Sequence, residues 1–246
     1  MKLSICADIM YGDIDFCEKI KNIKNKGYDT IEFWQWSNKN IEKIKETIDE
    51  LNVNISTFCI DSSSDNIMNK IGRTLLNSEE FEKLYSITEE SIEIAKKLGT
   101  KMLIATVGDL IDEIPYEKQI KNVYKSIEKI MPLFVSNDMT LLIEPINLQE
   151  RPKYLTPNVK QAAKIVKDIN CKNVKLLYDI YHQAMENDFS VENLLELLNL
   201  TGHIHIADCP GRHEPGTGNI DYKTVFDALK NSQYDGYIGA EFIYLQ

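Results

Sequence analysis

The feature that most constrains this chain is a rhythm. Short apolar runs alternate with longer amphipathic stretches from one end of the sequence to the other. That is the pattern of repeated βα units, each strand delivered to a parallel sheet by the helix before it. Eight strands are expected: KLSICA (2–7), DTIEFW (29–34), NISTFCI (54–60), KMLIAT (101–106), MTLLIE (139–144), VKLLYD (174–179), HIHIA (203–207) and GYIGAE (236–241). Helices are expected near 15–27, stopped at Gly27; about 40–51, with Ile41, Ile44, Ile48 and Leu51 at helical spacing; and 78–98, closed by Gly99 after a polar loop. Others follow near 115–136, where Pro132 should kink or shorten the helix, 157–168 with Pro157 in its first turn, 190–199, and from an Asp221 N-cap to about 230.

No GxGxxG phosphate loop follows the first strand, so a closed (β/α)8 TIM barrel fits better than an open doubly wound sheet. With 246 residues and no Ser-, Gly- or Pro-rich linker, the whole of 1–246 reads as one domain. The eighth helix is short or missing, since only FIYLQ follows Glu241. With Glu241 pointing inward, Ile238, Ala240 and Phe242 should face outward as an uncovered apolar strip. A neighbouring helix, the 243–245 tail or a second subunit must then cover it, and a homo-oligomer sealed in part by the tail is the expectation.

The densest chemistry lies in GHIHIADCPGRHEPGTGNID (202–221), which holds His203, His205 and His213, three of the four histidines, and Arg212, one of three arginines. A strand alternation leads straight into turn chemistry. His203 and His205 share one strand face, where buried structural histidines are the plain alternative to functional ones.

Composition narrows the function classes. A net charge of -10 and a pI near 5.0 disfavour a nucleic-acid partner, because the lysines are scattered rather than segregated. Five cysteines, Cys6, Cys17, Cys59, Cys171 and Cys209, include no CxxC pair and read as reduced thiols. No signal-peptide core and no long apolar run is present, so a cytoplasmic protein with no membrane partner and a small-molecule substrate is expected.

In a βα barrel the active site lies at the C-terminal ends of the strands. Strands five to eight end in or near Glu144, Asp179, His205 and Glu241. Three carboxylates at one mouth repel one another unless a cation sits between them. One imidazole with three carboxylates is an oxygen-rich set that suits Mn, Mg or Co better than Zn. The alternative is that each acid is salt-bridged independently. The three arginines, Arg73, Arg151 and Arg212, all follow strands at this end, where sparing use of Arg in a lysine-rich chain points to forked recognition. Trp34 and Trp36 either wall a small polar substrate or pack the rim.

The segments EPIN (144–147), LLYDIYHQ (176–183), GHIHIADCPGRHEPGTGNIDY (202–222) and GYIGAE (236–241) closely resemble the hydroxypyruvate isomerase family, within the xylose-isomerase-like TIM-barrel group of sugar isomerases and epimerases. The resemblance covers essentially the whole chain. It implies that Glu144, Asp179, His205 and Glu241 bind the metal and that Glu144 and Glu241 double as the acid/base pair. It also implies that His182, Arg212 and Glu150 contact substrate. The chain departs from the family in LQERPKYL (148–155) and in having His205 where many hydroxypyruvate isomerases carry Gln, the epimerase-like choice. The implied chemistry is isomerisation of a small hydroxy-carbonyl acid or sugar through a cis-enediolate. A ketose 3-epimerase or a dehydratase on the same scaffold would share the enediolate. A metal-dependent nuclease is disfavoured by the acidity and the few histidines.

Overall fold

The computed structural model describes residues 1–245. The chain runs β1 (Lys2–Cys6), α1 (Ala7–Met10), α2 (Phe16–Asn25), β2 (Thr30–Phe33), α3 (Ile41–Leu51), β3 (Asn54–Cys59), α4 (Asp65–Ile71) and a 3-10 turn at Leu75–Asn77. It continues with α5 (Phe81–Leu98), β4 (Met102–Thr106), α6 (Tyr116–Ser136), β5 (Thr140–Glu144), α7 (Val159–Ile169), β6 (Val174–Asp179), α8 (Ile180–Met185) and α9 (Val191–Leu197). Then come β7 (Thr201–Ile206), α10 (Tyr222–Asn231) and β8 (Tyr237–Ala240). The eight strands are all parallel and close into a barrel in sequence order, β8 pairing back onto β1. Among the described residues no helix follows β8 and none is long and apolar enough to cross a membrane.

The expected strands and long helices are present, and their ends have local causes. Asp221 caps α10 by accepting from the Thr224 amide at 3.1 Å, and Gly99 closes α5 in the left-handed region at φ 80°. Three local expectations are corrected. Asn158, not Pro157, opens α7, through a capping box with Gln161, so Pro157 lies outside the helix. Helix α6 is not shortened at Pro132 but continues to Ser136, with Ile127, Ile130, Leu133 and Phe134 buried on the turns around it. The loop after β3 contains α4, whose seven residues are too few to show a period.

Most of the core lies between barrel and helices. The barrel interior itself is divided. On the β4–β6 side it is apolar, built from Ile104, Leu142 and Leu177. On the other side Ser4, Ser56, Glu32 and His203 point inward and bond to one another.

Of the three covers expected for the apolar strip, the chain's own tail is one that is present. Ile238, Ala240 and Phe242 are only 3%, 2% and 8% exposed within the single chain. The segment after β8 turns back over the seam: the Ile243 amide donates to the Arg212 carbonyl at 2.8 Å, and the Leu245 amide donates to the Glu214 carboxylate at 3.0 Å. Phe242 and Tyr244 meet edge to face, and Lys26 sits over the Tyr244 ring. Covering the seam therefore requires no second subunit.

Candidate active site at the barrel mouth

Registers bring the predicted residues together. Asp179 on β6 pairs directly with His205 on β7, while Glu144 ends β5 and Glu241 follows β8. One donor atom from each of Glu144, Asp179, His205 and Glu241 lies within 4.8 Å of the others, and all four side chains are buried. His205 Nδ1 faces the three acids, 3.3 Å from Glu241, 3.6 Å from Glu144 and 3.8 Å from Asp179. It makes no hydrogen bond among the described residues.

The electrostatics follow from that crowding. Burial opposes a charged His205, but Glu241 and Glu32 outweigh it and hold the imidazole pKa well above its usual value. Burial likewise opposes an ionised Glu241, yet Arg212 and His205 hold it well below the usual carboxylate range. For Asp179 burial wins over Arg212 and His205, and its pKa is raised.

Arg212 reaches this cluster from the loop after β7. Its guanidinium pairs with Glu241, lies 3.5 Å from Asp179 and 2.8 Å from Glu150, and stacks over the Tyr181 ring. Its backbone is held at φ 55°, a costly conformation for a non-glycine residue. Asp208 organises the loop by accepting from the amides of Cys209, Gly216 and Ile220 at 2.9, 2.7 and 3.1 Å. Gly218 permits this, since a Cβ there would stand 2.5 Å from both Asp208 Oδ1 and the Cys209 carbonyl.

Helix α8 begins at the site itself. The Asp179 carboxylate accepts from the His182 amide at 3.1 Å, so a candidate ligand doubles as the N-cap. Asn147 Nδ2 donates to His182 Nδ1 at 2.6 Å, which places the ring proton on Nε2, 3.5 Å from Asp179. Burial, and next Arg212, push His182 down to about 4, so the ring is neutral at pH 7. The cavity above, about 300 Å³, is lined by Trp34, Cys59, Ile104 and Ile146 and by Glu144, Glu150, His182, His205, Arg212 and Glu241. That is the low end for a small-molecule pocket.

Not every candidate arrives. Trp34 stands at the mouth with its indole N–H on Glu241, whereas Trp36 is buried at the rim on Ser91. Arg73 and Arg151 do not converge with Arg212: both bind Asp109, at 2.8 and 2.6 Å, although Arg151 also borders the cavity. Glu32 and Asn147 were not singled out from the sequence. Glu32 lies 3.0 Å from His203 Nε2 and 2.9 Å from His205 Nε2. The only signal for it was an acid inside an apolar strand, TIEF, with inward parity. All five cysteines are free thiols.

The residues present fit a divalent cation. Donor atoms bound to one ion at about 2.0–2.2 Å lie roughly 3–3.5 Å apart. The spacings around the unpartnered His205 Nδ1 are close to this. Three carboxylates and one imidazole favour a hard or borderline ion, which leaves Mn, Mg, Co and Zn as candidates.

The model of the family described as xylose isomerase-like TIM barrel matches residues 20–244. The chain is similar to hydroxypyruvate isomerase of Escherichia coli (strain K12), 28% identical over 243 residues that make up 98% of this chain and 93% of that protein. It is also similar to a putative hydroxypyruvate isomerase of Drosophila melanogaster, 32% identical over 206 residues, 82% of this chain and 75% of that protein. A solved structure of a Brucella melitensis protein, named as an AP endonuclease of family 2, matches with a TM-score of 0.89 at 20% identity, covering 98% and 92% of the two chains. That last likeness is one of fold alone.

Proposed function

Because the chain belongs to the xylose isomerase-like TIM barrel family, and within it to the hydroxypyruvate isomerase family, we propose that it is a metal-dependent isomerase. Its reaction interconverts the aldehyde and ketone forms of a small hydroxy-carbonyl acid or sugar through a cis-enediolate. The observation that carries this reading is the convergence of Glu144, Asp179, His205 and Glu241 around an imidazole nitrogen with no hydrogen-bond partner.

Glu144, Asp179, His205 and Glu241 would hold the ion. When bound, a divalent cation supplies Lewis-acid polarisation of the carbonyl and neighbouring hydroxyl of the substrate, and so acidifies the intervening C–H. The protein's own groups do the rest. Among the described residues no arginine pairs with Glu144, which leaves its carboxylate free to take the proton from carbon. Glu241 is kept ionised by Arg212 and steered by Trp34, so it is placed to serve the second carbon or its oxygen. Neutral His182 offers its Nε2–H, and Arg212 and Glu150 offer a donor fork and an acceptor to substrate hydroxyls. Trp34, Ile104 and Ile146 give the cavity its apolar wall.

Returning the proton to the neighbouring carbon isomerises; returning it to the opposite face of the same carbon epimerises. His205, the epimerase-like choice by resemblance, favours ketose 3-epimerisation as the second reading. Proton NMR of Mn²⁺-loaded protein in D₂O, with hydroxypyruvate, tartronate semialdehyde, 2-oxo-tetronate and a set of ketoses, tests both. Deuterium entering at carbon with an aldehyde–ketone product supports the isomerase, and a C3 epimer supports the alternative. No exchange with any of them rejects the enediolate.

A further inference from the structure

Directly beneath the four candidate ligands lies a buried polar group that the proposed proton transfer does not use. The interior of a βα barrel is ordinarily filled by bulky apolar side chains, as Ile104, Leu142 and Leu177 fill the opposite half here. Glu32 instead places a carboxylate there, 2% exposed, at the desolvation cost that a buried charge carries. Its two oxygens face two imidazoles: Oε2 is hydrogen-bonded to His203 Nε2 at 3.0 Å, and Oε1 lies at ion-pair distance, 2.9 Å, from His205 Nε2. Ser56 Oγ braces Oε2 at 3.1 Å and is itself bonded to Ser4. Strand β8 runs past this contact, and only a glycine lets it pass: a Cβ on Gly239 would stand 2.3 Å from Glu32 Oε1 and 2.6 Å from the His205 ring.

His205 is thus gripped from one side of its ring while the other nitrogen faces Glu144, Asp179 and Glu241. We infer that Glu32 is a positioning residue for metal binding: its carboxylate, 2.9 Å from His205 Nε2, favours the proton on that nitrogen, so that Nδ1, among the three acids, is the nitrogen that gives up its proton to an ion, and His203 and Ser56 hold Glu32 in place. Glu32 acts through His205 and touches neither ion nor substrate. A carboxylate partner on the far nitrogen fixes the orientation of a ligating imidazole and raises its basicity, an effect of about 10–100-fold in metal affinity. The inference rests on the metal reading of the site.

The test is Mn²⁺ titration of the full chain by calorimetry, paired with thermal melts of the metal-free protein. Glu32→Gln keeps the shape but offers one acceptor oxygen to two imidazoles, so one of them loses its partner. Mn²⁺ affinity should fall about 10–100-fold, by more than any fall in the metal-free melting temperature accounts for. Gly239→Ala keeps every charge and drives a methyl between Glu32 and His205; it should weaken Mn²⁺ binding in the same direction, and it carries the test if Glu32→Gln does not fold. Unchanged Mn²⁺ affinity in the variant, whether or not its melting temperature drops, overturns the inference and leaves Glu32 a structural residue. Wild-type protein that binds no Mn²⁺ overturns the metal reading itself, a failure visible without any variant.

Discussion

Two clusters of arginine and carboxylate stand on the same face of the barrel, and their stoichiometries are opposite. At one, the single carboxylate of Asp109 meets two guanidiniums: Arg73 on Oδ2 at 2.8 Å and Arg151 on Oδ1 at 2.6 Å, with Arg151 also bonded to the Arg73 carbonyl. Each oxygen is matched, and the cluster ties the loops after β3, β4 and β5 together. At the other, the single guanidinium of Arg212 meets Glu241, Asp179 and Glu150, with Glu144 close by. The first cluster has no carboxylate oxygen left without a cation. The second is short of positive charge, and a buried surplus of carboxylates is tolerable only where a cation or a proton relieves it.

The largest way to break this comparison is to remove the cation. Chelation should abolish turnover and lower the melting temperature by roughly 5–10 °C relative to protein in Mn²⁺ at about 100 times its dissociation constant. Mn²⁺ should restore both, as read by activity assay and thermal melts; full activity in verified metal-free protein would reverse the argument. Next in size, Glu144→Gln and Glu241→Gln should each cost about 10²–10⁴-fold in kcat with the circular-dichroism spectrum unchanged. A variant that keeps near-normal kcat is not part of the acid/base pair.

Smaller effects sharpen the contrast. Arg212→Lys keeps the charge but loses the fork, so KM should rise about 10-fold while Mn²⁺ content stays normal. Mn²⁺ loss with KM unchanged would make Arg212 a guardian of the metal ligands instead. At the closed cluster, Asp109→Asn should lower stability by about 1–3 kcal/mol, because it leaves two guanidiniums facing each other. Turnover should barely change, and a fall in kcat as large as that of the glutamate variants would join the two clusters functionally. Smallest of all, Arg73→Ala should shift stability by less than about 1 kcal/mol, since its side chain is 80% exposed. Urea unfolding measures both stability changes.

Much of this was legible in the residues. Short apolar runs marked the strands, and closure followed from their number and from the lack of a GxGxxG loop after the first. Strand-end position was enough to collect Glu144, Asp179, His205 and Glu241, because in a parallel barrel every strand ends at the same mouth. Short elements were not legible: α8, only six residues, starts on Asp179 and shows no period of its own. Nor was the fate of Arg73 and Arg151, whose common partner Asp109 lies in a loop without periodicity.

The amino-acid sequence by itself determined the eight strands and the long helices between them, the handful of residues at the strands' C-terminal ends and the turn-rich loop that carries Arg212. Each is a local property, set by alternation, caps and glycines within a few residues of chain. Only the tertiary structure decided that Glu32 grips His205 from 173 positions away, that two of three arginines close on Asp109, and that the chain after β8 covers Ile238, Ala240 and Phe242. Those pairings depend on the register and closure of the barrel, and strand parity says which face a side chain takes but not what it meets there.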